Sequence, residues 1–372
     1  MTIRLTVVLC LSCAPLAAQP VPEFRVDSTW PKPLPEGWLH GQLPGVCVDS
    51  HDHVVVLDRR NITADQAQRG SVPADHILMF DANGKLVASW GDPERVPSGR
   101  LHGCSFGPSD ELWITGNRDG IIQKYSHAGE FLLQIGTRGV VDTPSGKAVM
   151  DEDGTIDTVA LNASRSGFFY PSQVAVDPQT GDVYVADGYG NKRVAVFDRE
   201  GRYLRQWGQQ ATIAQVKAGT GAAFAYSVHC IVIGTDGLVY VCDREGDRVQ
   251  VFDKRGEHVR NIWVATETTP EPADDCPHAQ IVLCFVNSGT VWGIALSPDP
   301  VQRYLYVADG RNERIHIFDR VSGELLGGFG RAGHGPGQFD YAHSMAVDSA
   351  GNLYIAETGD GKRVQRFLVS LP

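Results

Sequence analysis

The chain predicts an all-β fold, a six-bladed β-propeller, on three observations. One four-strand unit recurs six times along the sequence. Its strands are short, rich in Val, Tyr and Phe, and separated by tight Gly/Asp turns, the pattern of an antiparallel blade. The last copy stops before its fourth strand, and residues 23–28, ahead of the first copy, are free to supply it.

The elements follow in order. Residues 1–18 read as an export signal, with Arg4 before an apolar core over residues 5–16 and small Ala17 and Ala18 at the cleavage point. That core is too short to span a bilayer, and Pro20, Pro22, Glu23 and Arg25 follow it. Residues 19–372 are then expected to form one propeller domain, secreted or periplasmic after cleavage. Val54-Val55-Val56-Leu57-Asp58 and Leu112-Trp113-Ile114-Thr115-Gly116 are the second strands of blades one and two. Blade three is the clearest copy: Pro171-Ser172-Gln173-Val174-Ala175-Val176, Val183-Tyr184-Val185-Ala186-Asp187, Arg193-Val194-Ala195-Val196-Phe197, and a fourth strand ending at Trp207. Blades four, five and six keep this grammar around Val239, Leu305 and Leu353. Insertions at residues 137–167 and 265–287 break the rhythm and are expected as surface loops at the channel mouth.

Bulk properties narrow the function. Of 372 residues, 42% are hydrophobic and 21% charged, as in an ordinary globular protein. A net charge of −11, with no basic stripe, argues against a nucleic-acid partner. The expected partner is a small-molecule or peptide substrate, and the expected state is a monomer with no membrane span.

The chemistry concentrates in three histidines. His102, His229 and His343 open the first strand of blades two, four and six, in Leu101-His102-Gly103, Val228-His229-Cys230 and Ala342-His343-Ser344. The matching positions in blades one, three and five are Pro44, Ser172 and Trp292. Alternate blades of a six-membered ring point three imidazoles at one axis, which suits a catalytic zinc with its fourth position open. His40, His51, His53, His76, His127, His258, His278, His316 and His334 fall in turns, loops or outer strands and carry no comparable pattern.

The loop after each second strand returns toward that axis. It reads Asp58-Arg59-Arg60-Asn61 in blade one, Asp187-Gly188-Tyr189-Gly190-Asn191 in blade three and Asp243-Arg244-Glu245-Gly246 in blade four. Arg59 and Arg244 are candidate carboxylate clamps, since guanidinium grips a carboxylate bidentately. Tyr189, near a dication and arginines, is a candidate general base. The aspartates recur in blades with and without histidine, so they read as turn caps.

These motifs resemble the NHL-repeat propellers and, within them, the catalytic core of peptidyl-α-hydroxyglycine α-amidating lyase, over nearly all of the sequence after residue 18. The likeness is carried by Asp187-Gly188-Tyr189-Gly190-Asn191-Lys192-Arg193, by Val228-His229 with Asp243-Arg244-Glu245, and by the segments around His102 and His343. The resemblance implies zinc on His102, His229 and His343, Tyr189 as base, and Arg59 and Arg244 on the substrate. It implies a lyase reaction that releases an amide and glyoxylate. Three positions depart from the family, the first being Tyr341, where the family's methionine stands two residues before the last histidine. Ser344 stands where an aspartate helps bind a channel calcium, which makes calcium the weaker cofactor expectation, and Gly190 replaces a disulfide cysteine.

Six cysteines follow residue 18. Cys276 with Cys284 is the first expected bridge, Cys230 with Cys242 a second candidate, and Cys47 and Cys104 are expected as free thiols packed as small hydrophobes. The competing functional reading is a non-enzymatic secreted NHL-repeat propeller that binds a protein or glycan; a broad exposed aromatic patch away from the channel would favour it.

Overall fold

The computed structural model describes residues 21–97, 100–140, 161–268 and 289–370. Six four-stranded antiparallel sheets form the blades, each running outward from the channel. The innermost strands are Gly45–Val48, Leu101–Phe106, Pro171–Val176, Val228–Ile233, Gly293–Leu296 and Ala342–Val347. Each packs against the next, and the sixth returns to the first, so the ring closes. Blade six takes its outer strand from the N-terminal side: Glu23–Asp27 pairs antiparallel with Val364–Ser370, in a register that sets Glu23 opposite Ser370 and Asp27 opposite Arg366. The predicted closure is the observed one.

Burial explains the strand sequences. Successive side chains of a strand point to opposite faces, and each face of a blade packs on a neighbouring blade. Val54 and Val56 join the seam with blade six, beside Tyr354 and Val364. Val55 and Leu57 join the seam with blade two, beside Leu101 and Ile114. The second strands are therefore apolar throughout rather than alternating, as strands covered on both sides must be. Outer strands face solvent on their free side, which leaves Val87, Leu132, Leu204, Val259 and Leu325 exposed.

Two disulfides lie among the described residues. Cys230 and Cys242 bridge adjacent strands of blade four. Cys47 and Cys104 are also bonded, with Cα atoms 5.9 Å apart, which corrects the expectation of free thiols. They sit on the inner strands of blades one and two. Those strands are distant in sequence and become neighbours only when the blades pack, so the repeat pattern alone does not pair them. The leader, Cys276 and Cys284, and most of both insertions lie outside the described residues. No described helix is long and apolar enough to cross a membrane.

Replacing Cys47 and Cys104 together with alanine should lower unfolding stability by about 2–4 kcal/mol, because the bridge closes a long loop of the unfolded chain. A urea titration of the double variant checks this; an unchanged midpoint would mean that blade packing alone fixes the seam.

Candidate metal centre in the channel

The ring brings His102, His229 and His343 together at one mouth of the channel. Their ring centroids form a near-equilateral triangle with sides of 5.0, 4.7 and 4.9 Å. All three side chains are buried, and each offers a ring nitrogen within 4.8 Å of the others. The pairing register shifts at each of them, between Leu101 and Cys104, between Val228 and Ile231, and between Ala342 and Ser344. Such bulges turn a side chain out of the regular pleat.

Backbone carbonyls fix the orientation of each ring. His102 Nδ1 lies 2.8 Å from Ser172 O, His229 Nδ1 2.6 Å from Trp292 O, and His343 Nδ1 2.8 Å from Pro44 O. A carbonyl only accepts, so each Nδ1 carries the proton and each Nε2 presents a lone pair. The three accepting carbonyls belong to the residues aligned with histidine in the intervening blades. Burial, followed for His102 by its two partner histidines, for His229 by Arg244 and for His343 by Arg59, holds all three imidazoles well below their ordinary pKa. Three neutral imidazoles with converging lone pairs, each anchored by a hydrogen bond behind it, are a donor set for a divalent transition metal.

Tyr189 reaches the same point. Its hydroxyl lies 2.9 Å from His229 Nε2 and 3.2 Å from His102 Nε2, and it accepts from Arg244 Nη1 at 3.0 Å. The turn that carries it is tied down on all sides. Asp187 accepts from Phe169 N, Asn191 Nδ2 and Arg193 Nε at 2.7–2.9 Å. Lys192, fully buried, points its Nζ at the carbonyls of Gly188, Tyr189, Gly190 and Asn191, at 2.8–3.3 Å. Burial pulls this ammonium down to about 7 against the pull of Glu245, Asp187 and Asp243. Gly190 is required here, because a Cβ would stand 2.2 Å from the Phe169 ring.

The two predicted arginines flank the histidines. Arg244 donates to Glu245 Oε1 from Nε at 2.7 Å and lies 4.7 Å from the Trp292 ring centroid. Burial opposes its charge, yet Glu245 and Tyr189 raise its pKa above the ordinary value. Arg59 donates to Leu101 O and to Gln42 Oε1, both at 3.0 Å, while its buried Nη2 has no partner among the described residues. Burial and then Arg100 pull Arg59 down to about 10. Sequence reasoning missed Arg100, whose guanidinium stands 5.6 Å from the Tyr189 ring centroid. With Arg59 and Arg118 it lines a basic cavity of about 440 Å³ beside the site. A single arginine ahead of a strand gives no pattern by which to find it. Of the other histidines, His316 is buried against Asp309, and His334, in the entry to blade six, is largely exposed.

With this geometry in view, the comparisons are informative. The NHL repeat pattern matches residues 168–197, within blade three and its approach. The chain is 35% identical over 331 residues to Peptidyl-glycine alpha-amidating monooxygenase A of Xenopus laevis, covering 85% of this chain and 31% of that protein. It is 26% identical to Peptidyl-alpha-hydroxyglycine alpha-amidating lyase 1 of Drosophila melanogaster, covering 88% and 57%. The chain is an NHL-repeat propeller that resembles these amidating lyases. It is also 27% identical to human NHL repeat-containing protein 3, covering 93% of this chain and 84% of that protein. The propeller spans about a third of the monooxygenases that it matches. A solved streptogramin B lyase superimposes with a TM-score of 0.53 at 13% identity, covering 95% of this chain and 98% of that one, a likeness of fold alone.

The buried imidazoles make the metal-free propeller acid-sensitive. The unfolded chain takes up protons near the ordinary pKa of about 6.5, where the folded rings do not, so stability falls as pH drops below that value, by up to about 1.4 kcal/mol per pH unit for each ring. In chelator, His343→Gln should flatten the dependence of the urea midpoint on pH below about 6.5. An identical slope in the variant would show that these rings titrate normally.

Proposed function

We propose that this propeller is an exported, zinc-dependent lyase. It splits an α-hydroxy-N-acyl carboxylate, of which peptidyl-α-hydroxyglycine is one example, into an amide and glyoxylate. The observation that carries the reading is the convergence of three Nε2 lone pairs beside the Tyr189 hydroxyl, with a guanidinium on either side. The lyase-named relatives support the same reaction class.

The donor set fits zinc, which His102, His229 and His343 would hold; bound there, it would act as a Lewis acid on the substrate hydroxyl and lower its pKa. It does not fit calcium, a hard cation that takes oxygen ligands, because no carboxylate among the described residues joins the three imidazoles. The remaining work falls to the chain itself. Tyr189 serves as base in its phenolate form, whose charge Arg244, bonded to the phenolic oxygen, offsets, and it takes the proton of the substrate hydroxyl. Arg59 has an unpaired buried N–H with which to hold the substrate carboxylate in line. As the hydroxyl oxygen becomes a carbonyl, the C–N bond breaks; the nitrogen departs as the amide with the proton handed back by Tyr189, which is again a phenolate, and the hydroxylated carbon leaves as glyoxylate.

Export by a leader cleaved near residue 18, and a monomeric single domain beyond it, belong to the same proposal. Two disulfides, formed on inner strands, suit an oxidising compartment. The second reading, a secreted propeller that binds a protein or glycan, is supported by the likeness to NHL repeat-containing protein 3; among the described residues the exposed large apolar side chains are spread over outer strands and loops of several blades.

With zinc supplied and α-hydroxyhippurate as substrate, wild-type protein should release glyoxylate. Tyr189→Phe should lower kcat by about 10²–10⁴-fold, the usual worth of a positioned base, and Arg59→Ala should act mainly on KM. Absence of glyoxylate from a zinc-loaded, folded wild-type protein would sink the reaction, and full activity in Tyr189→Phe would remove the base.

A further inference from the structure

The face opposite the three histidines carries a second gathering of ligand groups. Asp49 ends the inner strand of blade one, His51 and His53 lie in the turn that follows, and His127 lies in the turn between the third and fourth strands of blade two. Their ligand atoms all fall within 4.8 Å of one another. The three imidazoles stand 5.9–6.0 Å apart by ring centroid. The cluster lies about 16 Å along the channel wall from the level of Pro44, at the usual rise of a strand, and is separate from the site described above.

Asp49 is built to hold something at one oxygen. Its Oδ1 accepts the backbone N–H groups of His51 and His53, both at 2.8 Å. Its Oδ2 meets two ring nitrogens, His53 Nδ1 at 2.9 Å and His127 Nε2 at 2.7 Å. The carboxylate is fully buried, whereas His51, His53 and His127 keep 63%, 31% and 38% of their side chains exposed. A fixed anion with three imidazoles around it, open to solvent, is a site an ion can enter.

Two other seams show what a carboxylate at this place can hold. The corresponding turn carboxylate of blade three, Asp177, takes Lys254 from blade four at 2.7 Å. In blade four, Asp236 takes Arg320 from blade five. Those two seams are stitched by a permanent cation. At the seam of blades one and two the cation is replaced by His127; His53 also bonds Asp49, and His51, whose Nδ1 lies 3.4 Å from Asp110 Oδ2, stands beside them. One histidine is enough to stitch a seam, and the other two hold ligand atoms within reach of the same point.

We propose that Asp49, His51, His53 and His127 form a second metal site that stitches blades one and two and takes a borderline divalent transition ion such as zinc. Three nitrogens and one carboxylate oxygen match the ligand count and type of that ion class. The hydrogen bonds now made by Asp49 would give way to bonds from all four groups to one cation, supplying the positive charge that Lys254 and Arg320 supply at their own seams.

The test is equilibrium dialysis of the full chain against zinc, with bound metal measured directly. Wild type should retain about two zinc ions per chain and the double variant His53→Gln/His127→Gln about one. Glyoxylate release should be unchanged in the double variant, because neither residue touches the channel site. In His229→Gln the remaining zinc should stay, and cobalt(II) in its place should show the visible absorption of a four-coordinate ion. Should either variant fail to fold, His51→Gln, a change at an exposed side chain, should weaken one of two wild-type zinc sites by about tenfold or more. A wild-type chain that holds one zinc, lost in His53→Gln/His127→Gln and kept in His229→Gln, would overturn the proposed function and leave the second site standing. One zinc per wild-type chain, unaffected by His53→Gln/His127→Gln, or a second zinc that survives all these changes, would overturn the second site.

Discussion

The interaction on which the channel depends is the bond from each imidazole Nδ1 to the backbone carbonyl of the aligned residue in the next blade: Ser172 for His102, Trp292 for His229, Pro44 for His343. It sets the tautomer, the tilt of the ring and the direction of the lone pair at once. Because the acceptor is backbone, the intervening blades are free in side chain, and proline, serine and tryptophan serve equally. Alternation has a steric ground instead: imidazole in every blade would crowd the axis.

A second constraint holds the phenol in place. The turn bearing Tyr189 has its carbonyls gathered around a buried ammonium, Lys192, and its first carboxylate satisfied by Asn191 and Arg193. A tyrosine on an ordinary surface loop would spend entropy on each encounter with substrate. Here that cost is met in folding, by burying a lysine whose charge is sustained by Glu245, Asp187 and Asp243. Arg244 and Glu245 then link the same phenol to blade four. Positioning groups from three blades meet at one hydroxyl.

Much of this was legible in the sequence, and the reason is periodicity. A repeat fixes the blade count, the phase of the histidines and the direction of the loops that carry Tyr189, Arg59 and Arg244. It also aligns Pro44, Ser172 and Trp292 with the histidines, although their role as carbonyl acceptors becomes visible only when neighbouring blades are set side by side. What escaped depends on contacts between blades at positions that do not repeat. The Cys47–Cys104 bridge, Arg100 over the Tyr189 ring and the cluster around Asp49 each join residues from different copies, and no single copy contains the signal. His51, His53 and His127 read one by one as turn residues, which they are.

The pairing of Glu23 opposite Ser370 brings the two ends of the described chain together at the outer edge of a single blade. Any domain or tether joined to either end would hang from the perimeter, clear of both openings.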